Sequence, residues 1–114
     1  MSKLLIVESG ASQGLYTKTI AEHVPEVFES VGYVSQAPIP GVKGTFISSG
    51  APCIDYTHIL LIGDPAFIAK NPIAKNAVQG AYVLCPTQFI PEEEVITWIH
   101  HIRMAVPSRL TGDA

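Results

Sequence analysis

The chain is short of charge, of cysteine and of long apolar runs, and each shortage excludes a class of protein. Charged residues make up 15% of the 114 residues, against about 25% in an average soluble domain. The two cysteines, Cys53 and Cys85, fit neither a disulfide framework nor a zinc site. No apolar run approaches the roughly 20 residues that cross a bilayer, and the first one is too short for a secretory signal. We therefore expect a cytoplasmic protein with no membrane contact.

Clustered basic residues are also missing. The seven lysines and arginines are scattered and the net charge is −3, whereas binding to a phosphate backbone needs a basic patch. The composition therefore argues against a nucleic-acid partner. Hydrophobic residues are plentiful at 47%, enough for the core of one domain. With few charges to cover the surface, part of it is expected to be apolar, which favours a homodimer or another protein partner.

Five short apolar runs predict strands. The first and fourth are apolar on both faces, which is typical of strands that helices cover on both sides in a parallel sheet. The runs lie at 3–7, 31–34, 45–48, 58–62 and 81–84.

Helical spacing predicts three helices between these strands. One begins at Leu15 and ends or kinks near His23, because Pro25 interrupts its pattern. Another begins at Pro91 and ends at Pro107. The third covers 66–78, where Pro72 must break, kink or restart it. The resulting order predicts a single α/β domain with three layers, Rossmann-like or flavodoxin-like. It would have a mainly parallel sheet, helices on both faces and a shortened middle, with a domain over 1–107 and a tail over 108–114.

Ligands of such folds bind outside the carboxyl ends of the strands. The candidate ligand-binding residues at these strand ends and in the turn at 9–14 are Glu8, Ser9, Gly10, Ser12, Gly14, Gly63, Asp64 and Cys85. Glu8 and Asp64 would hold a metal, or each would cap the helix after its strand. The turn would cradle a phosphate or be a plain tight turn. Cys85 would be a nucleophile or an inert thiol.

Both ends of the chain resemble receiver (response-regulator) domains. The matching segments are LLIVES at 4–9, HILLIGDP at 58–65 and GAYVLCP at 80–86, followed by an acidic helix. Several positions depart from the receiver pattern. Ser9 replaces the second acidic residue, Gly63 the hydroxyl residue and Cys85 the lysine, and the strand at 45–48 offers no aspartate. The resemblance therefore implies a pseudo-receiver without phosphotransfer, with Mg²⁺ binding at Glu8 weakened. A cis peptide before Pro86 is also implied.

A second resemblance, to the toprim domain of type IA topoisomerases, uses some of the same residues. Its motifs are similar to VES at 7–9, KTI at 18–20 and SVGY at 30–33, and to Gly63-Asp64-Pro65. Ala66 stands where that family has its second aspartate, so one metal-binding carboxylate is absent.

These features lead to two expectations of function. The first is a non-catalytic module for signalling or scaffolding, without a cofactor, that acts by protein–protein interaction. Dimerisation through Val95, Trp98 and Ile102 of the last helix would be one form of it. The alternative is a small Mg²⁺- or phosphate-dependent enzyme or nucleotide-binding protein that uses Glu8, the turn and Asp64.

Overall fold

The computed structural model describes residues 2–9, 14–23, 27–35, 37–48, 56–86, 88 and 90–109. The strands there are β1 (Lys3–Glu8), β2 (Ser30–Ser35), β3 (Thr45–Ser48), β4 (His58–Ile62) and β5 (Tyr82–Leu84). The helices are α1 (Leu15–Glu22), α2 (Pro65–Lys70), α3 (Pro72–Lys75) and α4 (Glu92–Met104).

The five strands form one sheet in which every neighbouring pair is parallel. The order is β3-β2-β1-β4-β5, so β1 lies at the centre, between β2 and β4. This order is that of a Rossmann sheet through its fifth strand. Each strand position predicted from the sequence is confirmed to within one residue at either end. The parallel α/β fold is confirmed as well.

Helices cover both faces of the sheet, as the sequence predicted. Successive side chains of a strand point to opposite faces, so Leu4 and Ile6 of β1 pack with α1 and α4, while Leu5 and Val7 pack with α2 and α3. The central strands β1 and β4 are almost wholly buried. Because helices bury both faces of these two strands, their sequences are unbroken apolar runs.

The helix expected over 66–78 is two short helices. Pro72 lacks the N–H that would continue α2, and α3 restarts at that residue. The Asn71 side chain caps the restart by accepting a hydrogen bond from the Ile73 N–H at 2.9 Å. Helix α4 ends at Met104, before Pro107 rather than at it.

The tail expected from residue 108 is not loose at its start. The Ser108 side chain is buried, and its Oγ accepts a hydrogen bond from the Ile59 N–H at 2.8 Å. The Tyr82 hydroxyl donates to the Val106 carbonyl, and the Val78 N–H donates to the carbonyl of the neighbouring Arg109. Residues 105–109, called the C-terminal segment below, therefore pack across the amino-terminal edge of β4 and β5.

Candidate functional site

The predicted site residues after β1 and β4 lie close together at the carboxyl edge of the sheet. The Ser9 N–H donates to the Ile62 carbonyl at 2.8 Å, which joins the two strand ends. A Cβ added to Gly63 would lie 3.0 Å from the Ser9 Cβ and 2.6 Å from Cδ2 of Phe67. Glycine at this position therefore allows the ends of β1 and β4 to meet closely.

The Glu8 carboxylate is turned toward the first turn of α1. Its Oε1 accepts hydrogen bonds from the Thr17 N–H at 2.8 Å and from the Thr17 hydroxyl at 2.6 Å. Its Oε2 accepts from the Tyr16 N–H at 3.4 Å. The first N–H groups of a helix have no partner within the helix and carry its positive dipole end. Glu8 thus stabilises the start of α1 from the strand before it.

Asp64 does the same for α2 as its N-cap. Its Oδ1 accepts a hydrogen bond from the Phe67 N–H at 2.7 Å, and Pro65 follows at the first helical position. Both carboxylates therefore accept hydrogen bonds from N–H groups at the start of the helix after their strand, which is the contact that the capping alternative describes. No group of three or more histidine, cysteine or acidic side chains is placed to hold a metal ion within the described residues.

A cleft of about 300 Å³ opens at the same edge, between β1 and β2 and beside the start of α1. Its described lining residues are Glu8, Ser9, Gly14, Thr17, Val34, Ser35, Pro38, Ile39 and Pro40. The segment after β2 forms one wall, held by a hydrogen bond of 3.0 Å from the Ile39 N–H to the Tyr33 hydroxyl. Gly14, at φ 78°, lets the Ile39 side chain pack directly over the turn.

The cleft includes only part of the predicted set. Glu8, Ser9 and Gly14 line it, whereas Gly63, Asp64 and Cys85 are not among its described lining residues. Gly10 and Ser12 lie outside the described residues. The sequence analysis missed Ser35 and Thr17. The rule that polar residues after parallel strands share one edge would have found Ser35, because it ends β2.

Cys85 follows β5 and is exposed to solvent. The peptide bond between Cys85 and Pro86 is trans, so the cis bond that the receiver resemblance implied is wrong.

The predicted interface on α4 is largely part of the core. Val95 and Ile102 are each 2% exposed and pack against β1 and β4 within the chain. They are therefore core side chains, and only Trp98 of the three lies partly at the surface. Trp98 lines a surface hollow of about 460 Å³ together with Glu93, Glu94, Thr97 and His101.

Comparison of the chain with protein-family models, with curated proteins and with solved structures finds no match. Of the helices in the described ranges, none is both long enough and apolar enough to cross a membrane.

Proposed function

We propose that this chain is a non-catalytic α/β module that acts by protein–protein interaction, with a second copy or another protein. The observation that carries the proposal is the position of the Glu8 carboxylate on α1. A helix start binds phosphate because its N–H groups are open to an incoming anion. Here Glu8 already accepts from the N–H groups of Tyr16 and Thr17 and from the Thr17 hydroxyl. The chain supplies its own anion at that place.

The same geometry disfavours phosphate beside Glu8. A phosphate near the start of α1 would either displace this carboxylate or lie next to a like charge, which costs free energy. Asp64 is likewise engaged by the Phe67 N–H. The resemblance to a receiver without its phosphotransfer residues supports the same proposal.

The surface supports an interaction role. Several large apolar side chains in the last third of the chain are exposed, namely Val78, Val83, Met104 and Val106. Trp98 adds an aromatic ring at the hollow on α4, and tryptophan is enriched at the centres of protein interfaces. Trp98 is therefore the predicted interface residue that we retain.

A second candidate is a small Mg²⁺- or phosphate-dependent enzyme, toprim-like or flavodoxin-like, or a nucleotide-binding protein. It is favoured by one observation, the adjacency of β1 and β4. That pairing brings the residues that follow both strands to the point where the strand order reverses, which is where Rossmann-type folds bind ligands. The cleft between β1 and β2 shares Glu8 and Ser9 with that edge and provides space for such a ligand.

An amide NMR titration with Mg²⁺, repeated with inorganic phosphate, separates the two candidates. We expect no saturable shift of the Glu8, Ser9 or Asp64 amides. Saturable shifts in the wild type that vanish in Glu8→Gln would refute the non-catalytic proposal and establish the second candidate.

Sedimentation equilibrium tests the interaction itself. We expect the wild type to self-associate, and Trp98→Glu to reduce its mass toward that of the monomer. His100→Glu is the matched control, because it places the same charge at an exposed position on α4 that does not line the hollow. If the solution mass of the dimer is unchanged in Trp98→Glu, the interface does not lie at this residue.

A further inference from the structure

His58, the first residue of β4, is a buried histidine. Its side chain is 2% exposed and is enclosed by two aromatic rings. The Phe28 ring meets it edge-on with centroids 5.3 Å apart, and the Tyr82 ring stacks on it at 6.4 Å. Neither ring offers the imidazole a strong hydrogen bond, so the surroundings suit a neutral ring.

The two ring nitrogens of His58 have different surroundings. Nδ1 lies 2.9 Å from the Thr57 hydroxyl oxygen, and that hydroxyl also contacts the Lys3 carbonyl at 3.1 Å. Nε2 is buried and has no hydrogen-bond partner in the described part of the chain. A proton added at Nε2 would therefore bring a charge into a buried site, where the favourable contribution of the Ala105 backbone is smaller than the cost of burial.

The C-terminal segment (residues 105–109) is held close to this ring by few hydrogen bonds. Its ties to the sheet edge run from the Tyr82 hydroxyl to Val106, from Ile59 to Ser108, and from Val78 to Arg109. The segment contains no helix or strand, and Val106 is 65% exposed. Such weakly anchored segments open at a lower free energy than the sheet they cover.

The charges around His58 favour its neutral form. Burial lowers the pKa of His58, the Ala105 backbone raises it, and the positive charge of Arg103 on α4 lowers it further. From β5 it is faced by the Tyr82 ring. On β1 the residue paired with it is Leu4, and alternation places the Lys3 side chain on the opposite face.

We propose that protonation of His58 releases the C-terminal segment from the amino-terminal edge of the sheet at mildly acidic pH, while the sheet stays folded. The charged imidazole gains water when its surroundings open, and the hydrogen bonds from Tyr82 to Val106 and from Ile59 to Ser108 place the segment beside the ring. This pH-sensitive release goes beyond the proposed function and does not depend on it.

The direction of the pH dependence follows from the linkage between protonation of His58 and opening of the C-terminal segment. Because the pKa of His58 is lowered in the closed state, the closed state is fully favoured above the ordinary histidine value of about 6.5. It loses stability as the pH falls below that value. With normal titration of His58 in the open state, the opening constant rises by at most roughly 30-fold between about pH 7.5 and about pH 5, and the full rise requires the closed ring to stay neutral throughout.

Amide hydrogen exchange, expressed as protection factors at several pH values, tests the proposal. The reporters are the Ile59 and Val78 amides, which donate to the C-terminal segment. Unfolding of the whole chain also exposes His58, so we expect the protection of these two amides and of the Ile6 amide in β1 to fall with pH, by at most roughly 30-fold. Local release predicts that Ile59 and Val78 stay less protected than Ile6 at every pH. Equal protection at Ile6 would mean that these amides exchange only when the whole chain unfolds, and it would overturn local release. Constant protection of Ile59 and Val78 down to about pH 5 would overturn it as well.

The variant His58→Phe keeps an aromatic ring and removes the titrating group. We expect its Val78 protection to be independent of pH, whereas the control His100→Gln, at an exposed position on α4, behaves as the wild type. A pH dependence that persists in His58→Phe would refute the role of His58. Should this variant fail to fold, the contrast between Val78 and Ile6 in the wild type still decides between release and global unfolding.

Discussion

The substitution Glu8→Gln tests whether the carboxylate at the end of β1 acts as a cap for α1. Glutamine has nearly the shape of glutamate but no charge, and it offers one acceptor oxygen in place of two. That oxygen retains a bond to Thr17, while the amide group cannot accept from the Tyr16 N–H. We therefore expect a less stable protein with an unchanged fold.

The expected loss is about 2 kcal/mol. Hydrogen bonds to a charged group contribute roughly 1.5–3 kcal/mol against about 0.5–1.5 kcal/mol for neutral ones. The two short bonds, at 2.8 and 2.6 Å, therefore each lose about 1 kcal/mol or somewhat less. Loss of the charge at the dipole end removes roughly 0.3–1 kcal/mol more. With an unfolding entropy of about 0.24 kcal/mol/K for a domain of 114 residues, Tm falls by about 8 °C.

Urea unfolding followed by the fluorescence of Trp98, the single tryptophan, measures this loss. Glu22→Gln is the control, because it makes the same change at the other end of α1. It is expected to alter the free energy of unfolding by less than about 0.5 kcal/mol. A double-mutant cycle with Thr17→Val should show a coupling of about 1 kcal/mol. Equal stability of Glu8→Gln and the wild type would refute the capping argument.

Three further substitutions test other parts of the structure. Gly32→Ala places a Cβ 2.0 Å from the Tyr56 hydroxyl oxygen. We expect the free energy of unfolding to fall by about 1–3 kcal/mol as that ring is pushed aside. An unfolding free energy equal to that of the wild type in urea would contradict this. Asp64→Ala removes the cap on the Phe67 N–H and should cost about 1 kcal/mol, with Asp64→Asn largely restoring the loss in the same assay. Leu60→Ala empties a fully buried position at the centre of β4 and should lower the free energy of unfolding by about 2–5 kcal/mol. A loss below about 1 kcal/mol would show that Leu60 is not in the core.

The local structure was predictable because it depends on short-range chemistry. A strand buried on both faces must be apolar throughout, which the run at 58–62 shows, and a proline inside a helix removes a backbone donor, which Pro72 shows. The sequence also placed Glu8 and Asp64 at the carboxyl edge, because strand ends in a parallel sheet share that edge.

Side-chain direction and burial were less predictable from the sequence. Helical periodicity places Val95, Trp98 and Ile102 on one face of α4. Which of them are buried depends on how that face packs against the sheet. Ser108 follows the last helix in a stretch without periodicity. Its burial depends on a hydrogen bond to Ile59, 49 residues earlier in the chain.

The sequence by itself determined the secondary structure, the parallel sheet and the edge at which its polar residues gather, since each follows from periodicity, proline and strand direction. Only the tertiary structure decided that β4 lies beside β1. The cleft between β1 and β2 and the burial of His58 beside the C-terminal segment are likewise visible only in the tertiary structure. These features depend on contacts between residues far apart in the chain, for which local patterns carry no information.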